Sequence, residues 1–222
     1  MARDDHYASP FGIAFSTYME RPRLARLISR TVFGADTKLY YESMAAIAEV
    51  PDGSTIVDCP CGAGPAFRGL RQEAAVRYVG ADLSPSMIRR ARRRVSKRGL
   101  ARVELVEADA TNIPEPTGSV DLFLSYWGLH CFNEPAGALV EAARLLKPGG
   151  RLVGTCFVKG DDSLRQRLVI RPHRGDFGPV GTEEEVLQWL ATAGFESPDT
   201  QRSGPMLLFD TRARTSQGSP GP

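Results

Sequence analysis

Several things are scarce in this sequence, and each shortage narrows the reading. No apolar run approaches the roughly 18 residues that cross a bilayer as a helix, so no membrane span is expected. The first residues, Met1 to His6, are polar and lack the apolar core of an export signal. The chain has four cysteines; without an export signal they read as reduced thiols, and the expected compartment is the cytoplasm. The net charge is +2, too small an excess to point to nucleic acid. Lysine is rare: four of the 28 basic residues, the rest being arginines spread along the chain. That bias reads as a GC-rich coding sequence. The 222 residues suffice for one domain with a full core and a small lid.

What is present is organised around Ile56-Val57-Asp58-Cys59-Pro60-Cys61-Gly62-Ala63-Gly64-Pro65. A β-branched apolar run ends in an acid and a glycine turn, followed by a helix-compatible stretch, Ala66 to Leu70. Strand, glycine turn and helix in that order open a ligand crevice in α/β sheets. Gly62 and Gly64 let the backbone turn sharply and come close to a ligand. Asp82 follows a second apolar run, Tyr78 to Ala81, 18 residues past Gly64. A carboxylate there suits ribose hydroxyls.

Before the first strand, two helices are expected. Leu24, Leu27, Ile28 and Val32 recur at helical spacing and Gly34 ends that helix; Asp36 caps a second one carrying Tyr40, Met44 and Ile47. We divide the chain into a helical extension, 1–52, a core domain, 53–214, and a disordered tail, 215–222. The extension is expected to act as a lid, with packing at the sheet edge as the alternative. Later segments alternate. Ser84 and Pro85 start a helix, Val103 to Ala108 is a strand and Val120 to Tyr126 another. Asn133 is expected to cap a helix that stops at Lys147-Pro148-Gly149-Gly150, and Arg151 to Val158 is the fifth strand. Thr182 and Glu185 make a capping box, and Met206 to Phe209 is a last short strand. Alternation of this kind means an α/β fold with a doubly wound, mainly parallel sheet.

Four stretches, in this order and register, resemble the class I (Rossmann-like) S-adenosylmethionine-dependent methyltransferases of small-molecule type. They are Val57 to Gly64, Gly80 to Met87, Glu107 to Ala110 with Ile113-Pro114, and Arg144 to Leu152. The resemblance implies a seven-stranded sheet with a reversed last strand, S-adenosylmethionine as cofactor and S-adenosylhomocysteine as product. It implies that Asp58 and the turn Cys59, Pro60, Gly62, Ala63, Gly64 approach the methionine part. Asp82 would hold the ribose, with Leu83 beside the adenine and Asp109 and Ala110 at its edge. Met87 falls among the matched positions, and Ser125, ending the fourth strand, would face the methionine part. One position departs from the family: Pro60 stands where glycine is usual, which removes an N–H and fixes φ.

The acceptor is expected at the segment after the fourth strand, Tyr126, Trp127 and His130, and at Tyr18, Met19 and Tyr40 of the extension. His130 is the candidate general base; the alternative is a structural histidine among core aromatics. Methylation of oxygen or nitrogen on a small molecule is the leading expectation, with carbon methylation of a quinone or lipid-like acceptor as the alternative. A non-catalytic cofactor- or partner-binding protein is the rival from another class. A nicotinamide dehydrogenase is disfavoured: its third glycine would fall at Phe67, and no tyrosine is followed four residues later by lysine. Cys59, Cys61, His130 and Cys131 match no common zinc spacing, so no metal is expected. The arginines between Arg89 and Arg98 read as a solvated helix face, and no nucleic-acid partner is expected. The acceptor's identity and the oligomeric state are not legible.

Overall fold

A computed structural model describes residues 17–71, 73–159 and 179–215. Seven strands form one sheet: β1 (Thr55–Asp58), β2 (Arg77–Asp82), β3 (Val103–Glu107), β4 (Val120–Tyr126), β5 (Leu146–Phe157), β6 (Asp199–Ser203) and β7 (Met206–Arg212). Their order is β3-β2-β1-β4-β5-β7-β6. Pairing is parallel from β3 through β5, and β7 runs antiparallel to both β5 and β6. The order reverses at β1, so the crevice outside the C-terminal ends of β1 and β4 is where such a sheet takes a ligand.

Side-chain alternation splits the core between the two faces. Val57, Val79, Phe123 and Leu152 pack against α5 (Pro135–Leu145) and α6 (Glu183–Thr192). Ile56, Tyr78, Leu122, Leu124 and Val153 face the other way, with Ala91 of α4 (Pro85–Arg98) and Tyr40, Met44 and Ile47. The last three come from α2 (Lys38–Ser43) and α3 (Ala45–Glu49). They follow α1 (Pro22–Ile28), which continues as a wider turn over Ser29–Phe33 and ends at the left-handed Gly34. The segment expected as a lid is thus a packing layer of the main core. Met19 and Tyr40 are fully buried in it. Asp36 anchors it, accepting the Lys38 N–H and two guanidinium nitrogens of Arg26.

Two further expectations need correction. No α-helix follows the glycine turn; Pro65–Gly69 is one short 3₁₀ segment. The N-terminal layer has taken the space: a Cβ on Gly69 would stand 2.7 Å from the Met44 carbonyl and 2.8 Å from Ile47. The strand β6 had no counterpart in the sequence reading. It is an edge strand exposed along nearly its whole length, so neither face imposes an apolar alternation. The starts of α4 and α6 are as expected. Ser84 Oγ accepts the Met87 N–H, and Thr182 and Glu185 satisfy each other's backbone N–H groups. The tail from 216 onward, residues 1–16 and most of the weakly patterned stretch after Lys159 lie outside the described residues.

Candidate active site

At the tip of β1 the chain passes from Asp58 through a cis Cys59–Pro60 bond to the glycine turn. Gly62 and Gly64 both have positive φ, 53° and 77°. The space a Cβ would take at Gly64 is filled by the Phe67 ring, 2.1 Å away, so this glycine serves packing as well as the turn. Gly62 donates its N–H to Asp82 Oδ2 at 2.8 Å, and Ser84 N–H reaches Asp82 Oδ1 at 2.9 Å. Two backbone donors thus fix the carboxylate at the end of β2. A carboxylate offers about four acceptor positions, the chemistry that sugar hydroxyls require.

Beyond Asp82 opens a cleft, continuous with solvent. Cys59, Pro60, Asp82, Leu83, Asp109 and Ala110 line it. Leu83 is an apolar side chain left 58% exposed at the edge of this cleft, a surface suited to a flat ring. Asp109 accepts both the N–H and the hydroxyl of Thr111, which shapes the far wall. The other wall is Cys131, Phe132, Asn133 and Glu134. Sequence reasoning ended the acceptor segment at His130 and gave Asn133 to a helix cap. In the structure Glu134 precedes α5, and Asn133 faces the cleft instead.

Asp58, Gly62, Ala63, Gly64, Met87 and Ser125 do not line this cleft. Met87 is buried in the first turn of α4. Asp58 and Ser125 lie next to it in the sheet, since Asp58 registers with Leu124 of β4. Both are buried, and Asp58 Oδ1 and Ser125 Oγ have no hydrogen-bond partner. Burial pushes the Asp58 carboxyl up to about 7, against a hydrogen bond from Tyr78 that favours its charged form. Such unmet atoms are rare in folded proteins and call for a partner. A flat cleft with a fixed carboxylate, leading to unmet polar atoms, suits a nucleoside with a polar tail.

Residues 57–154 match the family described as "Methyltransferase domain". Over that stretch the chain carries a methyltransferase domain, which supports placing it with the class I S-adenosylmethionine-dependent methyltransferases. A demethylmenaquinone methyltransferase of Thermus thermophilus is 38% identical over 132 residues, covering 59% of this chain and 57% of its own length. A ubiquinone/menaquinone biosynthesis C-methyltransferase, UbiE, of Pseudomonas putida is 28% identical over 82% of this chain and 74% of its own. Across four curated relatives the matched share runs from 35% to 57% of their length. The chain therefore spans about half the length of those relatives. A solved structure titled as the [4+2]-cyclase SpnF shares the fold, with TM-score 0.67 and 22% identity over 80% of this chain and 82% of that one.

The lining suits an S-adenosyl group in its chemistry: a carboxylate at Asp82, with the apolar surface of Leu83 and Ala110 beside it. Pro60, the departure from the family, packs closely. A Cβ on Gly128 would stand 2.7 Å from Pro60 Cδ and 2.5 Å from Ser125 Oγ. Bare backbone at position 128 is what makes room for the proline ring.

His130 does not meet the demands of a general base. It is buried, and its Nδ1 accepts the Phe157 N–H at 3.1 Å. The proton of a neutral ring then sits on the other nitrogen, and burial pushes the pKa down to about 3. The ring packs instead against Phe157 and Trp127. Trp127 has φ 58°, held by its N–H bonds to Thr155 O and Oγ1. A bulky residue in the left-handed region carries roughly 1–3 kcal/mol of strain and tends to mark a functional site. Tyr40 meets Tyr126 and Trp127 edge-on, at 5.2 and 5.5 Å. Tyr126 is buried and shares a hydrogen bond with Ser43. Met19 and Tyr18 belong to the same layer. Of the basic residues on α4, Arg90 and Arg94 pair with Glu20. They tie the N-terminal layer to the sheet rather than standing wholly in solvent.

Proposed function

We propose that this protein transfers a methyl group from S-adenosylmethionine to a small, planar, apolar acceptor, with an electron-rich ring of the quinol class as the best fit. One observation carries the choice. The tips of β4 and β5 present aromatic side chains, Tyr126, Trp127 and Phe157, with Phe33 stacked on Phe157 at 5.7 Å. The histidine among them has its lone pair committed to a backbone N–H. Oxygen or nitrogen acceptors that must lose a proton would call for a base. An electron-rich carbon attacks without one at the outset. The names of the Thermus and Pseudomonas relatives point the same way.

The bound cofactor supplies a methyl group on a sulfonium, ready for in-line displacement. The chain's own part is to place the acceptor and exclude water. Asp82 and the Gly62 turn fix the nucleoside end. The aromatic wall holds a ring by its face. The lid role proposed for the N-terminal segment becomes that of a fixed wall, and Tyr18 and Tyr40 bound the acceptor side from that layer. Cys59, Cys61, Cys131 and Cys156 are all free thiols. Among the described residues no helix is long and apolar enough to cross a membrane, and no cluster of three or more His, Cys, Asp or Glu is placed to hold a metal.

A non-catalytic or differently catalytic role is the second reading, favoured by the cyclase title of a structural neighbour. A turnover screen separates them. Quinols, phenols and amines are incubated with the protein and S-adenosylmethionine, and products are read by mass. Carbon methylation of a quinol is the expected result. Methylation of amines alone would overturn the acceptor class. Cofactor binding without turnover on any acceptor would favour the second reading.

A further inference from the structure

The first helix of the N-terminal layer buries one side and leaves the other bare. α1 and the wider turn after it run without a break from Pro22 to Phe33. Ala25 and Ser29 are buried. Leu24, Ile28 and Val32 recur every four residues, so they form one stripe, with Leu27 beside it. The stripe faces water: Leu24 is 37%, Leu27 63% and Val32 43% exposed. Five large hydrophobic side chains are exposed among the described residues, and these three belong to one helix. Apolar side chains grouped in this way mark an interaction surface. The stripe also leads somewhere. It ends at Phe33, whose ring stacks on Phe157, and Phe157 meets Trp127 at 5.1 Å. Those rings are the wall assigned above to the acceptor.

The charge around the stripe has one sign. No acid occurs from Arg21 to Ala35. Arg26 and Arg30 are answered by Asp36. Arg21 and Arg23 are exposed and have no ion-pair partner among the described residues. α4 lies on the same side of the sheet, joined to the start of this segment by Arg90 and Arg94, which both pair with Glu20. It too lacks any acid, and Arg89, Arg92, Arg93 and Lys97 are exposed on it. A second copy of the chain would set these cations against their own kind. An apolar ridge flanked by unanswered cations complements an anionic lipid surface: leucines enter the headgroup boundary and arginines meet phosphates. We propose that α1 docks this protein on anionic bilayers, from which an apolar acceptor passes along the stripe to the aromatic wall. The docking stands on the stripe and its charge; the acceptor's route rests on the proposed function above.

Flotation of the full chain with two kinds of vesicle tests this: phosphatidylcholine alone, and phosphatidylcholine with phosphatidylglycerol. Wild type should partition roughly tenfold or more in favour of the anionic vesicles, and salt should weaken that preference. Leu24→Gln with Leu27→Gln should lower the partitioning roughly tenfold or more, since two leucine side chains no longer leave water. Arg21→Gln with Arg23→Gln should lower it roughly tenfold through charge. All four positions are exposed, so both variants should melt like wild type. Turnover on a water-soluble, short-chain quinol should be unchanged in both. Turnover on a long-chain quinol held in anionic vesicles should fall with the partitioning. Wild type that ignores anionic vesicles would overturn the docking. A leucine variant that melts at a lower temperature would show that the chain itself covers the stripe. One that turns a dimer into a monomer would show that a second copy does, and either result overturns the docking too. Vesicle binding that both variants lose, with no turnover on any quinol, would keep the docking and overturn the acceptor class instead.

Discussion

The crevice has two halves that are built differently. In the nucleoside half most polar contacts are short in sequence: Asp82 to Ser84 and Asp109 to Thr111 each span two residues and Ser84 to Met87 three, with Gly62 to Asp82 the longer link at 20. In the half under the N-terminal layer they are long: Ser43 to Tyr126 spans 83 residues and His130 to Phe157 spans 27. The first half is a set of turns and caps, each specified by its own few residues. The second exists only once distant segments have packed. The first half should therefore respond to mutation mainly through binding, and the second through folding and binding together.

The largest expected effect breaks the second half. Tyr40 is fully buried in the core, so Tyr40→Ala should cost about 3–5 kcal/mol, the range for deleting a buried aromatic ring. Urea denaturation should show a lower midpoint at an unchanged slope. A separate lid would give no shift, and that outcome would restore the lid. Next comes the first half. Asp82→Ala should weaken S-adenosylhomocysteine and 5′-methylthioadenosine alike, by about 1.5–3 kcal/mol, and should also lower the melting temperature, because the Gly62 and Ser84 N–H groups lose their acceptor. Selective weakening of one probe would show that Asp82 does not serve the shared nucleoside.

A smaller effect is expected at His130. His130→Ala leaves the Phe157 N–H without its acceptor, which should cost about 1–3 kcal/mol of stability. Turnover per folded molecule should stay within about twofold. A drop of a hundredfold or more, with the folded fraction corrected, would reinstate His130 as a base.

The same contrast explains what was legible beforehand. The strand order rests on local signals: apolar runs ending in Asp58, Asp82 and Asp109, and the Ser84 and Thr182 caps. All were readable because strand ends and caps depend on adjacent residues. Asp82, Leu83, Asp109 and Ala110, expected at the cofactor, line the cleft, and they were readable for the same reason. Asn133 was expected to cap the next helix, and Glu134 stands there instead, since the exact start of α5 depends on how the chain leaves β4. The 3₁₀ segment after Gly64 was read as a helix because nothing in Ala66 to Leu70 announces that Met44 and Ile47 crowd Gly69. His130 looked like a base because a sequence does not show that Phe157, 27 residues on, takes its lone pair.

The smallest effect is a pH dependence that sharpens the comparison at Asp58. Its carboxyl is pushed up to about 7 because burial disfavours the charge. The folded state then holds a proton that the unfolded chain, titrating near 4, has already lost. This contribution to stability is complete below about pH 4 and disappears as pH rises through about 7. The groups around Asp58 do not blur the effect. Tyr40, Tyr78, Tyr126, Cys59 and Cys61 are all held upward by burial and stay neutral over this range, and Asp82 supplies a charge that also raises Asp58. Between pH 5 and pH 7 the wild type should lose up to about 2 kcal/mol relative to Asp58→Asn, at about 1.4 kcal/mol per pH unit. Affinity for S-adenosylhomocysteine should run the opposite way. An ammonium is held by the ionised carboxylate, so binding should tighten by about tenfold from pH 6 to pH 8, and the variant should show no such trend. Parallel stability curves for wild type and variant would mean that Asp58 is ionised throughout.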